Sequence, residues 1–244
     1  MNIIITMAGL GSRFKKAGYN VPKYMIEVNG KTLFEWSMLS LADFNKQENV
    51  KYIFIDRKEN NGENFIKNEC EKIGINSFNI IELDELTDGQ ATTALLAKKC
   101  WKENEEAIIY NIDTYVEPYI IKYSDIQGDG FIPCFDGEGD HWSFVKLDEN
   151  ENAIEVREKK RISNNCTIGL YYFKTCKLYE KIYNEYYSDS THLEKNEKYI
   201  APLYNYMIEK GLIVKICNLA KEKVHVLGTP EEVEEFKKQT RGDK

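Results

Sequence analysis

Asn2-Ile3-Ile4-Ile5-Thr6-Met7-Ala8-Gly9-Leu10-Gly11-Ser12-Arg13, with Pro22-Lys23 shortly after it, is the stretch on which the fold reading turns. Three consecutive isoleucines between polar residues read as a short strand buried on both faces, as strands of a parallel sheet are. The two glycines come where that strand ends and backbone must pass close to a ligand. Arg13 and Lys23 bring two fixed cations to the same turn. A glycine turn flanked by cations at a strand end suits a nucleoside triphosphate.

Two better known glycine loops do not fit. The dinucleotide fingerprint G-x-G-x-x-G needs a third small residue where this chain has Phe14. Gly30-Lys31-Thr32 looks like the end of a P-loop, but the position where that loop opens is Met25 rather than glycine. Asn29-Gly30 reads instead as a hairpin turn, and Thr32 with Glu35 as a capping box opening a helix over residues 33–44.

The rest of the chain sets bounds. Its 244 residues can bury a sizeable core, and no linker, repeat or low-complexity tract interrupts them. Forty acidic against 33 basic residues give a net charge of −7, which argues against a nucleic-acid binder and leaves any polyanionic ligand to local cations. Six cysteines contain no C-x-x-C pair, and the chain enters a strand without a basic and apolar leader, so reduced thiols and a cytoplasmic location are expected. No apolar run approaches the ~20 residues that cross a bilayer.

Strand and helix alternate in the first half. Residues 51–55, 78–83 and 107–112 read as strands, with helices over 64–73 and 92–101 between them. This is βαβ grammar, hence a parallel sheet covered on both faces. After Asp113, residues 131–135, 142–147, 153–157 and 167–173 read as successive strands, predicting a mixed sheet or a β-rich flap. Helices return over 176–187, 199–210 and 231–239, with short strands at 213–217 and 223–227.

Gly9-x-Gly11-Ser12-Arg13 followed by Pro22-Lys23 resembles the signature of the sugar nucleotidylyltransferases, or nucleotide-sugar pyrophosphorylases. The resemblance implies an α/β, Rossmann-like three-layer αβα nucleotidyltransferase fold with a mixed, largely parallel sheet and a β-rich substrate flap. It implies one domain over 1–244, with a nucleotide-binding half at 1–113, a sugar-phosphate-binding half at 114–244 and no further C-terminal domain. Arg13 and Lys23 become the catalytic cations on the triphosphate. Met7, Ala8, Gly9, Gly11 and Ser12 form the nucleotide-binding loop, its start touching the base and its glycines donating from backbone.

Four later landmarks extend the resemblance. Asn111-Ile112-Asp113 matches a segment whose aspartate binds magnesium, so Asp113 is the implied ligand of a Mg²⁺ cofactor; capping of the next turn is its competing reading. Asp88-Gly89-Gln90 falls where the family meets the nucleobase: Gly89 would admit a flat ring and Gln90 would read its edge, while Asp88 could equally cap the helix that follows. Glu158-Lys159, Ser163-Asn164 and Gly169-Leu170-Tyr171 resemble the run that holds the sugar phosphate, with Lys160 in place of a proline. Glu158 would accept from sugar hydroxyls, Lys159 would pair with phosphate and Gly169 would let the ring lie on backbone; a solvated charge cluster is the plainer alternative. Gly228-Thr229-Pro230-Glu231 matches the closing G-T-P-E and supplies a helix cap. Val226, however, stands where many members carry a second metal-binding aspartate, so one protein carboxylate on the metal, or a supplement that the sequence does not identify, is expected, and in a strand His225 would face the other way.

The implied reaction joins a nucleoside triphosphate to a sugar 1-phosphate, releasing pyrophosphate and giving a nucleotide sugar for cell-surface polysaccharide synthesis. The implied partners are those two substrates, with no nucleic acid and no membrane; a homo-oligomer is left open, as are the base and the sugar. One alternative is a cytidylyltransferase acting on a small phosphorylated alcohol such as phosphocholine, for which the 16 tyrosines could supply an aromatic cage. Another is a non-catalytic nucleotide-sugar-binding protein.

Overall fold

A computed structural model describes residues 1–194 and 196–240. The isoleucine run forms β1 (Asn2–Thr6), buried up to its last residue, and α1 (Ser12–Lys16) follows the glycine turn. Asn29 and Gly30, both at positive φ, make the tight turn between β2 (Glu27–Val28) and β3 (Lys31–Thr32). The reciprocal bonds of Thr32 and Glu35 open α2 (Leu33–Leu39) as the capping box predicts. That helix ends at Leu39 rather than at residue 44, because tighter turns take over to bury Leu41 and Phe44.

The βαβ grammar holds. β4 (Lys51–Arg57), α3 (Glu63–Lys72), β5 (Phe78–Leu83), α4 (Gln90–Leu95) and β6 (Ala107–Asn111) come next, and β1 lies between β4 and β6 with β5 outside, all parallel. β4 runs beyond residue 55 and so carries Asp56 and Arg57 to the edge of the sheet. Side chains alternate across it: Ile3, Ile5, Ile108 and Tyr110 pack with Phe34 and Met38 of α2 and Ile66 and Cys70 of α3. Ile4, Ala107 and Ile109 pack with Ala91 and Ala94 of α4 on the other face. Burial on both faces explains why these strands show no polar alternation.

After β7 (Thr114–Val116) the pairing becomes antiparallel. β8 (Gly130–Asp136), β9 (Ser143–Leu147), β10 (Ala153–Glu158), β11 (Asn165–Thr167) and β12 (Leu170–Phe173) extend the same sheet in the order β10-β9-β11-β8-β12-β6-β1-β4-β5. The strand predicted over 167–173 is two strands: Gly169, at φ 80°, turns the chain so that β11 pairs with β8 and β9 while β12 crosses to β6. α5 (Cys176–Tyr186) and α6 (Leu203–Glu209) cover one face with α4. α6 starts later than residue 199 because Pro202 disfavours a helical residue before it. β13 (Val214–Leu219) joins β8 in parallel, and β14 (Val224–Val226) pairs with β7. α7 (Pro230–Gln239) opens with Thr229 accepting from the Glu232 N–H.

A third cluster has direct bearing on the site. Phe14, Leu33, Tyr115, Leu227, Val233 and Phe236 pack together, tying α1, α2, β7 and α7 into one block. The glycine turn and the residues flanking Asp113 are thereby fixed to one another. Among the described residues no helix is long and apolar enough to cross a membrane.

Candidate active site

Because β1, β4, β5 and β6 are parallel, their C-terminal ends share one edge, and the loops leaving them line a cleft of about 1240 Å³. Met7, Ala8, Gly9, Gly11, Ser12 and Arg13 line it from β1, Gly89 and Gln90 from beyond β5, Asp113 from beyond β6, and Lys23 and Gly228 complete it. The turn is held at both ends: the Met7 N–H donates to the Ile55 carbonyl at 3.0 Å, and Phe14 is buried. Gly11 takes the left-handed conformation at φ 59°, where a side chain would be strained. Arg13 is exposed, and its guanidinium has no ion pair among the described residues.

Lys23 is presented by the tight helical turn Lys23–Met25. The next residue, Tyr24, is buried and donates its hydroxyl to Asp56 Oδ2 at 2.6 Å, while Asn60 donates to Asp56 Oδ1 at 2.7 Å. Gly62 leaves the space that the tyrosine hydroxyl and the carboxylate fill. Burial raises the Asp56 carboxyl above its ordinary range, against its hydrogen bonds, and burial and then Asp56 raise Tyr24. The anchored turn directs the Lys23 ammonium onto Asp113 Oδ1. Asp113 therefore ion-pairs across the cleft instead of capping a turn. The Asp113 side chain stays 44% exposed there.

Gly228 lies between two carboxylates. A Cβ on it would stand 3.7 Å from Asp113 Oδ2 and 3.4 Å from Glu232 Oε2, and that Glu232 oxygen is buried without a partner. Val226 is not among the residues lining the cleft; it borders a separate groove of about 630 Å³. His225 stacks on Tyr115 at 5.3 Å, and burial lowers its pKa. Among the described residues no three His, Cys, Asp or Glu side chains cluster so as to hold a metal ion.

On the β5 side, Gln90 donates to Thr6 Oγ1 at 3.0 Å. The space beside Gly89 is taken by the backbone of Lys198, whose N–H donates to the Asp88 carbonyl at 2.8 Å and whose carbonyl accepts from Ala91 at 3.0 Å. Asp88 does not cap α4: it pairs with Lys198 at 2.7 Å and accepts from the Thr92 hydroxyl. Burial pushes the Asp88 carboxyl up, but those bonds outweigh it and hold the group below its ordinary range. The same strap brings Asn196 and Glu197 to the cleft.

Glu158, Lys159 and Gly169 are not among the residues that line the cleft. The Glu158 carboxylate accepts from the Ser143 hydroxyl and lies 3.5 Å from Lys159 Nζ, which donates to the Tyr199 hydroxyl at 2.8 Å. Burial lowers the Lys159 pKa, but Tyr199 and Glu158 more than reverse that. Gly169 makes room for the Asn111 side chain, and Asn111, with its Oδ1 buried and unpartnered, lines the cleft. Sequence reasoning named Asn111 only as part of the Asp113 motif, without a role of its own, and missed Arg57, Glu197 and Glu232. Position at a parallel strand's C-terminal end is the signal that would have found Arg57 and singled out Asn111.

The sheet that carries this edge, with its glycine turn, has the nucleotidyltransferase fold. No family model and no curated protein matches the chain. Among solved structures, the nucleoside-diphosphate-sugar pyrophosphorylase from Vibrio cholerae RC9 is 37% identical, superposes with a TM-score of 0.89, and the match covers 98% of this chain and 100% of that one. The chain belongs to the nucleoside-diphosphate-sugar pyrophosphorylase family. The fold is shared more widely. CTP:phosphocholine cytidylyltransferase from Streptococcus pneumoniae is 18% identical with a TM-score of 0.74 and 98% of both chains covered. Inositol-1-phosphate CTP transferase from T. maritima is 16% identical with a TM-score of 0.76, covering 98% of this chain and 95% of its own.

Proposed function

We propose that this nucleotidyltransferase condenses a nucleoside triphosphate with a sugar 1-phosphate, releasing pyrophosphate and leaving a nucleoside diphosphate sugar. The observation that carries the reading is the convergence of Arg13, Lys23 and Asp113 on one cleft with the Gly9–Gly11 turn. A sugar phosphate oxygen attacks the α-phosphorus, the bond from that phosphorus to the bridging oxygen breaks, and pyrophosphate departs with the electron pair. No general base is needed, because a phosphate monoester, with its second pKa near ~6, arrives largely dianionic. The difficulty is repulsion: two unit charges ~4 Å apart cost ~4 kcal/mol at an effective dielectric of ~20. Arg13 and Lys23 offset it and hold the reacting groups in line.

Asp113 would be the protein ligand of Mg²⁺. The fit is chemical: Mg²⁺ takes one or two carboxylates and fills its octahedron with phosphate oxygens and water, so a single half-exposed carboxylate in a phosphate cleft suffices. Bound there, the ion would supply charge neutralisation on the phosphates. Lys23, released from Asp113, would pair with phosphate oxygens. Gln90 and the start of the glycine turn would receive the base, with Gly89 giving room to the Lys198 backbone instead, and Glu158, Lys159 and Gly169 would shape the sugar-phosphate side through Tyr199 and Asn111. Service in polysaccharide synthesis fits the family.

The test is a screen for pyrophosphate release. Each common triphosphate is paired with a panel of sugar 1-phosphates and with phosphocholine, in Mg²⁺. Release that requires both a triphosphate and a sugar phosphate supports the reading. Release with phosphocholine alone, or binding without release, contradicts it.

A further inference from the structure

We propose that Arg57 is a further cation of the triphosphate site, held in the ligand-free chain by Glu59, and that a polyphosphate displaces Glu59 from it. This rests on the reading of the cleft as a triphosphate site. Arg57 ends β4, and the pairing of Thr6 with Ile55 and the Met7–Ile55 hydrogen bond bring it level with the start of the glycine turn. It lines the same cleft as Gly9, Arg13 and Lys23.

Its pairing is incomplete. The side chain is only 7% exposed, and its Nε has no hydrogen-bond partner among the described residues. A guanidinium offers five donors, and a buried one is costly unless it is paired and hydrogen-bonded. Here the ion pair comes from Glu59, a 61%-exposed carboxylate close by in the chain, with Asn60 Oδ1 at 3.5 Å. Exposed carboxylates contribute little in such pairs. The neighbouring Asp56 carboxylate feels the Arg57 charge and accepts from its backbone, but among the described residues its side-chain hydrogen bonds come from Tyr24 and Asn60 and not from the guanidinium. Phosphate oxygens match that fork and bind it more strongly than an exposed side chain can.

Strand order selects the anion. β4 lies directly beside β1, whose glycine turn and Arg13 share the cleft with Arg57, whereas β10 with Glu158 lies far along the sheet on the other side. Arg57 therefore sits across the glycine turn from the sugar-phosphate residues, and the polyphosphate is its partner.

The experiment is a calorimetric titration with inorganic tripolyphosphate, which has the charge of the nucleotide without its base, and with glucose 1-phosphate as the second arm. Arg57→Gln should raise the tripolyphosphate Kd by about tenfold or more, and Glu59→Gln should lower it, with the glucose 1-phosphate Kd unmoved in both. Tripolyphosphate binding unchanged in Arg57→Gln, no tightening in Glu59→Gln, or an effect falling on glucose 1-phosphate would each overturn the assignment. Should Arg57→Gln fail to fold, the exposed Glu59 position decides alone. An arginine that only balanced Asp56 would lower thermal stability and leave tripolyphosphate affinity untouched. If Lys23→Ala weakens tripolyphosphate binding and Arg57→Gln does not, the cleft reading stands and this assignment falls. If the unsubstituted protein binds no tripolyphosphate, both fall.

Discussion

Lys23 and Asp113 come from opposite ends of the first half of the chain, yet each neutralises the other at the cleft floor. Such a pair keeps a carboxylate and an ammonium oriented toward the space their ligands would enter. Asp113→Asn removes the charge with little change of shape. It is expected to lower Mg²⁺-dependent pyrophosphate release by about 100-fold or more, read from a magnesium titration of the rate; an unchanged titration would reassign the metal ligand. The sequence could place Arg13 and Asp113 at the ligand edge because each lies in a short motif just past a strand end, whereas Lys23 comes to the same cleft on the turn after Pro22. Arg57 was not legible, since the apolar run that marks its strand stops at Ile55. Glu232 was equally silent: its carboxylate and that of Asp113 flank Gly228, and no local pattern marks the meeting of these two distant segments.

At the scale of elements, the turn bearing Lys23 and the strand β4 are joined by the Tyr24–Asp56 hydrogen bond. Tyr24→Phe leaves the buried carboxylate short of one donor and should destabilise the fold by about 1–3 kcal/mol. Urea unfolding curves that superimpose on those of the parent would show that the turn is anchored elsewhere. The pairing of β14 with β7 places His225 between Tyr115 and Phe236. Burial lowers its pKa below the ordinary 6.5, so the unfolded chain takes up the proton first as pH falls. Its contribution is therefore complete above 6.5 and is lost as pH drops toward the folded value. His225→Phe should show a smaller loss of melting temperature on acidification than the parent, and parallel profiles would contradict this. The hairpin turn and the capping box were legible because their residue types allow few alternatives. The break at Gly169 was not, because the apolar run continues through it while the pairing partners change.

For the whole molecule, parallel order and burial on both faces converge on a single consequence. Four strands end together, and Arg13, Lys23 and Arg57 meet in one hollow at that edge within a chain of net charge −7. The alternating strand and helix pattern made the parallel half legible, whereas the antiparallel extension beyond β6 was legible as strands without their order. Long-range pairing leaves no local mark in sequence, and the approach of residues 196–199 to α4 depends on it too. The central claim is that these cations bring two polyanions together for phosphoryl transfer. Its most direct test is the rate of pyrophosphate release by Lys23→Ala beside the parent, at saturating substrates and matched thermal stability. A fall of about two orders of magnitude or more with an unchanged melting temperature is the expected result. A near-parental rate would contradict the account.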